Sequence, residues 1–303
     1  MKKHAILIMV HKNNYVLEKN LELLDSPFLD IYIHVDKKCH DFKFDYYKEK
    51  VKKANLIYVN PRIDVRWGDF SLISCELLLM ESAYKERKYK YYHLISGEDL
   101  MVMPLSSIFA NCENQVYLDS SFINPKAHEG RKIYQRISVK HVLIKYIRSN
   151  NFAIQYGARI LNKAYAEIQS ALGRDLIKKK NINLRYGSNW FSLPGDVVKY
   201  ILNSKSLIND YFSKGWLVDE LFIQTIIADN KEITERLYDN NKRKIKWLTG
   251  KQAHPYVWRK SDFKEIIQSN KFFARKFDEN VDRNIIDMIF DYLKNLDKHK
   301  KWY

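Results

Sequence analysis

Two hydrophobic rhythms alternate along the first hundred residues. Ala5-Ile6-Leu7-Ile8-Met9-Val10 is an unbroken apolar run of strand length, and Leu17, Leu21 and Leu24 then recur at helical spacing within residues 15–24. Residues 30–36 alternate and close on the acid Asp36, reading as a second strand, and residues 55–59 read as a third. Residues 72–84 form a strongly apolar helical stretch, opened by Asp69 or Ser71 as a cap. Tyr91-Tyr92-His93-Leu94-Ile95 is another buried strand, broken by Ser96-Gly97-Glu98-Asp99. Strands that alternate with helices predict an α/β architecture, a sheet with helices on its faces.

The pattern changes at about residues 125–185. Lys-, Arg- and Tyr-rich stretches at 132–148 and 162–180 predict partly exposed helices in a basic insertion. A short strand signal returns over 184–193, a helix begins at 197–202, and Asp219-Glu220 heads the apolar run Leu221-Phe222-Ile223. Residues 284–296 predict an amphipathic C-terminal helix. With no internal repeat and no Pro-, Gly- or Ser-rich linker, residues 1–303 are expected to form one domain.

Charge adds a preference for partners. The chain carries 52 Lys and Arg against 36 Asp and Glu, a formal +16, which favours anionic partners. No zinc-ligand spacing, RNP-type signature or helix-turn-helix accompanies that charge, so nucleic acid is not the expected partner. Non-specific binding of a polyanion stays open as the non-enzymatic alternative. Lys132, Arg136, Lys140, Lys145 and Arg148 alternate with apolar residues, as on a helix resting on an anionic membrane or on a solvated helix with one core face. Cys39, Cys75 and Cys112 are widely spaced without a CxxC, which suits a reducing compartment, with Cys75 as a core residue. The apolar run after Lys2-Lys3-His4 is too short for a signal peptide or a membrane span. The expected location is therefore cytoplasmic, with peripheral contact to the inner face of the membrane.

Several groups of residues suggest chemistry. Ligands of open α/β sheets bind beyond the carboxyl ends of the strands. Here those ends carry His11-Lys12, Asp36 and the Glu98-Asp99 pair. Asp36 can accept hydrogen bonds from a nucleoside or simply form a turn. Glu98 and Asp99 are candidates to meet a ligand there. Trp67, beside Gly68, can form a planar wall against a ligand or fill the core. Ser188, Asn189 and Trp190 in Gly-Ser-Asn-Trp-Phe can meet sugar hydroxyls and a pyranose face. Glu220 lies among apolar neighbours, which raises a carboxyl pKa toward that of a general base, while Asp219 suits a helix N-terminus. In Phe272-Phe273-Ala274-Arg275-Lys276-Phe277 the aromatics pull two cations inward, where a diphosphate satisfies both. A plain ion pair with Asp278 or Glu279 is the alternative. Nowhere does an Asp-x-Asp occur to hold a divalent cation.

Taken in order, His34-Val35-Asp36, Arg66-Trp67-Gly68, residues 94–99, residues 187–191, residues 219–222 and residues 272–277 resemble the core-2/I-branching β-1,6-N-acetylglucosaminyltransferase and peptide-O-xylosyltransferase family. The resemblance spans about residues 5–280. It implies a GT-A-like, Rossmann-like glycosyltransferase fold with a central mixed sheet flanked by helices, inversion at the anomeric carbon, and no metal or other cofactor. By similarity, Val10 and Asp36 meet the uridine of a UDP-sugar, Arg275 and Lys276 hold the diphosphate, and Glu220 is the catalytic carboxylate. Asn189 departs from the Asp of the xylosyltransferases and gives Glu220 more weight. The expected reaction moves N-acetylglucosamine to a hydroxyl of a glycan or lipid-linked glycan in surface polysaccharide synthesis, with UDP-xylose and UDP-galactose as alternative donors.

Overall fold

The structure is a computed structural model that describes residues 2–180, 182–248 and 254–298. Its centre is a seven-stranded sheet of β1 (His4–Val10), β2 (Leu29–Val35), β3 (Asn55–Tyr58), β4 (Tyr91–Ser96), β6 (Val116–Tyr117), β9 (Ser192–Pro194) and β10 (Leu237–Tyr238), in the spatial order β10-β6-β9-β4-β1-β2-β3. β1 pairs in parallel with both β2 and β4, whereas β9 runs antiparallel to β4 and β6. The sheet is therefore mixed, with helices on its faces.

β1 explains why a continuous apolar run was needed. Ile6, Ile8 and Val10 point into one core with β2 and the C-terminal helix, while Ala5 and Leu7 point into another with the helix Ser71–Glu86. Side chains alternate across a strand, so a strand covered on both faces carries no polar phase. Each fully buried Ile or Leu contributes about 1.5–3 kcal/mol. The first core is closed by the C-terminal helix Glu279–Lys298, which returns to the helix Tyr15–Leu23. There the Tyr15 hydroxyl donates to Asp287 at 2.6 Å and Lys294 reaches the Glu22 carbonyl at 2.8 Å.

Two smaller sheets matter for function. β5 (Leu100–Met101), β11 (Arg243–Ile245) and β12 (Phe273–Arg275) form one, with β12 between the other two. β7 (Ser121–Phe122) and β8 (Arg185–Tyr186) form the other.

The N-terminal elements match the expected spans to within two residues. The insertion does not. A helix over residues 132–148 was expected, but it runs His128–Ser138, and a short 3-10 turn follows at Ile144–Tyr146. Leu143, with φ 57°, sits in the left-handed region just before that turn. The second helix is Phe152–Ala171, ten residues earlier than periodicity suggested, because Asn151 caps it by accepting from the Ala153 and Ile154 N–H groups. Asp69 does serve the start of the helix Ser71–Glu86, accepting from the Ser71 N–H at 2.8 Å. Asp219, expected as a cap, makes no such contact, and the helix there begins only at Phe222. Cys39, Cys75 and Cys112 are free and buried.

Candidate active site

The carboxyl ends of β1, β2 and β4 open on one side of the sheet, and four segments converge there. The Ser96–Asp99 turn is held by Asp99. Its two oxygens accept from the Ser96 N–H at 2.9 Å and the Ser96 hydroxyl at 2.7 Å. Gly97 packs over Val10, where a Cβ would lie 3.4 Å from the Val10 side chain, and its N–H donates to the Met9 carbonyl. Val10 is buried beneath, with its carbonyl accepting from the Asp36 N–H at 2.7 Å. Val10 and Asp36 therefore share the floor at the ends of β1 and β2. The Asp36 side chain is occupied by Lys38, through its N–H at 2.9 Å and its ammonium at 3.0 Å.

β12 brings the cations to this turn. It pairs antiparallel with β5, and the Phe277 N–H donates to the Glu98 carbonyl at 3.0 Å. Phe272, Phe273 and Phe277 are buried, as the aromatic wrapping required. The carboxylates that meet the cations are Glu98 and Asp99, not Asp278 or Glu279. Lys276 and Lys12 approach Glu98 at 3.0 and 2.9 Å, and these two ammonium groups hold its carboxyl below the usual range despite burial. Arg275 lies 3.6 Å from Asp99, with its Nε buried and without a hydrogen bond among the described residues.

This geometry changes three expectations. Asp99 has no exposed surface, so it braces the turn and Arg275 from behind instead of meeting a sugar. Glu98 holds Lys12 and Lys276 in place, which makes it a positioning group for the cations. Trp190 is buried and carries the Arg275 guanidinium 4.3 Å above its ring, so that face is not free for a pyranose.

A second group of residues lies next to the first. Asn189, adjacent to Trp190, donates to Glu76 at 3.3 Å. The strap that carries it is docked by the Gly187 N–H on the Glu220 carbonyl at 3.0 Å and by Gln224 donating to the Ser188 carbonyl at 2.7 Å. Gly187 is required there, since a Cβ would stand 1.9 Å from the Asp119 carbonyl oxygen. The Ser188 hydroxyl turns back to accept from the Trp190 N–H at 3.4 Å. Glu220 is partly exposed and accepts from Arg136 at 2.7 Å. Burial, and then the Glu220 charge, raises the phenol pKa of neighbouring Tyr186.

Trp67 stands beside this group. Its ring meets Trp216 edge-on at 6.3 Å and carries the Arg148 guanidinium at 3.8 Å, while the Gly68 carbonyl accepts from the Leu217 N–H. Gly68 has φ +73°, and a Cβ would press on Trp216 at 2.7 Å. The Arg-Trp-Gly motif therefore props the loop that ends in Asp219-Glu220.

The Core-2/I-Branching enzyme family matches residues 5–272. The chain belongs to that family. Curated relatives include xylosyltransferase 1 of Rattus norvegicus, 22% identical over 313 residues that cover 95% of this chain and 35% of that protein. Xylosyltransferase 1 of Homo sapiens is 23% identical and covers 95% and 30%. Beta-glucuronosyltransferase GlcAT14B of Arabidopsis thaliana is 27% identical over 107 residues, covering 34% and 24%. The chain spans about a third of the length of the curated relatives it matches. Among solved structures, apo mouse xyloside xylosyltransferase 1 aligns with a TM-score of 0.37 at 9% identity, covering 89% of this chain and 96% of that one.

Three further residues belong to this arrangement without belonging to any of the sequence motifs. Arg136 reads in the sequence as one cation of an exposed basic helix, yet it points inward to Glu220. The signal was its place between Ile133 and Ile137, which face the core. Arg243 is fully buried and donates to the carbonyls of Leu94 and Phe191 and to Ser192, tying the ends of β4 and β9 together. Burial lowers its pKa to about 10. Glu76 is fully buried on the helix Ser71–Glu86, with one oxygen that meets no partner among the described residues. An Asp at 189 would place a second carboxyl against Glu76, so Asn189 fits this chain's own neighbourhood.

Glu76, Asp219 and Glu220 crowd three carboxyls together, and burial decides which stay neutral. Burial, then Asp219, pushes Glu76 well above the carboxylate range, and burial, then Glu220, raises Asp219 to about 7. Between pH 4 and 7 the folded chain thus holds protons that the unfolded chain releases, so stability falls as pH rises through that window, by up to ~1.4 kcal/mol per pH unit per group. Melting curves of Asp219→Asn and Glu76→Gln should each show a flatter pH dependence than the wild type. An unchanged slope in Asp219→Asn would remove Asp219 from this account.

The described residues also bring His4, His93 and Cys112 together, with ligand atoms within 4.8 Å of one another. His4 and His93 share a hydrogen bond at 3.1 Å, and burial lowers both pKa values. This trio sits toward the amino end of β1, opposite the cation cluster.

Proposed function

We propose that the chain is an inverting glycosyltransferase that moves a sugar from a UDP-sugar to a hydroxyl of a glycan or lipid-linked glycan, in surface polysaccharide synthesis, without a metal. The observation that carries this reading is one continuous line of contacts. Lys12 and Lys276 meet on Glu98, Arg275 lies over Trp190, neighbouring Asn189 donates to Glu76, and Gly187 of the same strap docks on the Glu220 carbonyl. Cations suited to a leaving diphosphate are thus linked through neighbouring residues to a carboxylate, the two kinds of group that an inverting displacement uses.

In that reading Glu220, oriented by Arg136, takes the proton of the acceptor hydroxyl. The acceptor oxygen bonds to C1 as the bond from C1 to the phosphate oxygen breaks on the opposite face. The transition state has oxocarbenium character, and the charge that develops on the β-phosphate meets Arg275 and Lys276. Asp219, kept neutral at mildly acidic pH, leaves the base role to Glu220. N-Acetylglucosamine is the first donor to test, and UDP-xylose is the second because the curated relatives are named xylosyltransferases.

Thermal unfolding in the presence of UDP, UDP-N-acetylglucosamine, UDP-xylose and UDP-galactose tests the reading. A donor at 100 times its Kd should add about 2.7 kcal/mol. Equal stabilisation by any polyanion, lost in salt and indifferent to uridine, would replace the transferase with a polyanion-binding protein.

A further inference from the structure

The helix Phe152–Ala171 is amphipathic in the opposite sense to an ordinary surface helix. Its inward side carries polar groups beside the small Ala158 and Ala166: Asn162 and Gln169 are buried, accepting from the Val142 N–H at 2.9 Å and the Lys140 N–H at 3.1 Å. Its outward side is apolar. At 100° per residue, Ile154, Leu161, Ile168 and Leu172 fall within one narrow stripe, and Ile160 borders it. They are 47%, 57%, 57%, 69% and, for Ile160, 49% exposed. Ala153, Gly157, Ala164 and Ala171 fill the gaps between them, so the stripe carries no charge. Phe152 and Tyr156, 76% and 58% exposed, stack on each other at the amino end of the helix. A contiguous apolar patch of this kind marks an interaction surface.

Charge identifies the partner. Residues 126–180 hold 13 Lys and Arg against 3 Asp and Glu, so much of the chain's +16 surrounds this helix. Lys145, Arg159 and Lys163 are exposed beside it. A second copy docking through the same face would bring two cationic surfaces together, which opposes a dimer. An anionic bilayer accepts both features, with the stripe in the acyl boundary and the cations among the headgroups. Among the described residues no helix is long and apolar enough to cross a membrane.

We infer that the helix Phe152–Ala171 docks this protein on the surface of a membrane that carries anionic lipid. The surface differs from the one expected at residues 132–148, whose Ile137, Val139 and Ile147 are buried in the protein. The helix His128–Ser138, which carries Arg136, touches the docking helix where Gln135 donates to Ser170 at 3.1 Å.

Co-sedimentation with vesicles tests the inference without any sugar donor, so its outcome is separate from that of the proposed transfer. Wild-type protein should bind vesicles of phosphatidylcholine with phosphatidylglycerol and not those of phosphatidylcholine alone. Leu161→Glu with Ile168→Glu, both exposed, should leave the melting temperature unchanged and weaken binding at least about tenfold. Lys145→Glu with Lys163→Glu should weaken it to a similar degree. Absence of binding by the wild type overturns the inference, as does binding that survives the Leu161→Glu, Ile168→Glu pair. A lipid-free dimer dispersed by that pair also overturns it, in favour of a second copy as the occupant.

Discussion

Glu220→Gln is expected to lower sugar transfer at least ~100-fold, the usual scale for loss of a general base, while the melting temperature and UDP binding stay as they are. Binding and fold should persist because Gln keeps an oxygen to accept from Arg136, the contact at 2.7 Å that orients residue 220. The loss should fall on turnover and not on KM for the donor, since Glu220 stands at the far end of the line of contacts from the cations. A Gln variant that turns over like the wild type would remove Glu220 from the mechanism. The neighbouring Asp219, raised to about 7, would then take the base role, and Asp219→Asn would be the variant to assay.

Replacing Arg275 and Lys276 together with Ala should abolish donor binding, because the β-phosphate loses its charge-assisted partners in a partly desolvated cleft. Transfer by the wild type should survive excess EDTA, and added Mg²⁺ or Mn²⁺ should not rescue the double variant. The double variant also leaves Glu98 and Asp99 short of partners, and an unpaired buried charge can cost about 3–5 kcal/mol. Arg275→Lys keeps the charge opposite Asp99 and removes only the planar fork, so it should fold normally and bind donor at least ~10-fold more weakly. Activity that vanishes with EDTA and returns with Mn²⁺ would sink the cation account and point to a metal held by carboxylates. Donor binding unaffected in Arg275→Lys would show that Arg275 serves only Asp99 and Trp190.

Much of this arrangement is written locally in the chain. The six apolar residues after His4 specify a strand buried on both faces, and the cores on either side of β1 take alternate residues from that run. The three phenylalanines at 272, 273 and 277 specify that Arg275 and Lys276 are drawn inward. Phase and hydrophobicity act over a few neighbours, so a single sequence carries them. The six motifs in order were also enough to suggest the family.

Partner choice was decided by the tertiary structure. Only the antiparallel pairing of β12 with β5 puts Lys276 on Glu98 and Arg275 near Asp99, from positions more than 170 residues away. Glu76 looks like any polar residue of an apolar helix until packing removes its water and sets it beside Asn189 and Asp219. Arg136 reads as a surface charge and Arg243 belongs to no motif, because nothing in the sequence says which carbonyls or carboxylates will meet them. The inverted helix Phe152–Ala171 shows the same limit, since the sequence placed a helix at 162–180 without saying which side of it would face the protein. Local sequence sets which backbone conformation is favoured and which side chains prefer to leave water. The charge or hydrogen bond that each buried polar group finally meets depends on contacts between distant segments, and only the folded chain fixes those.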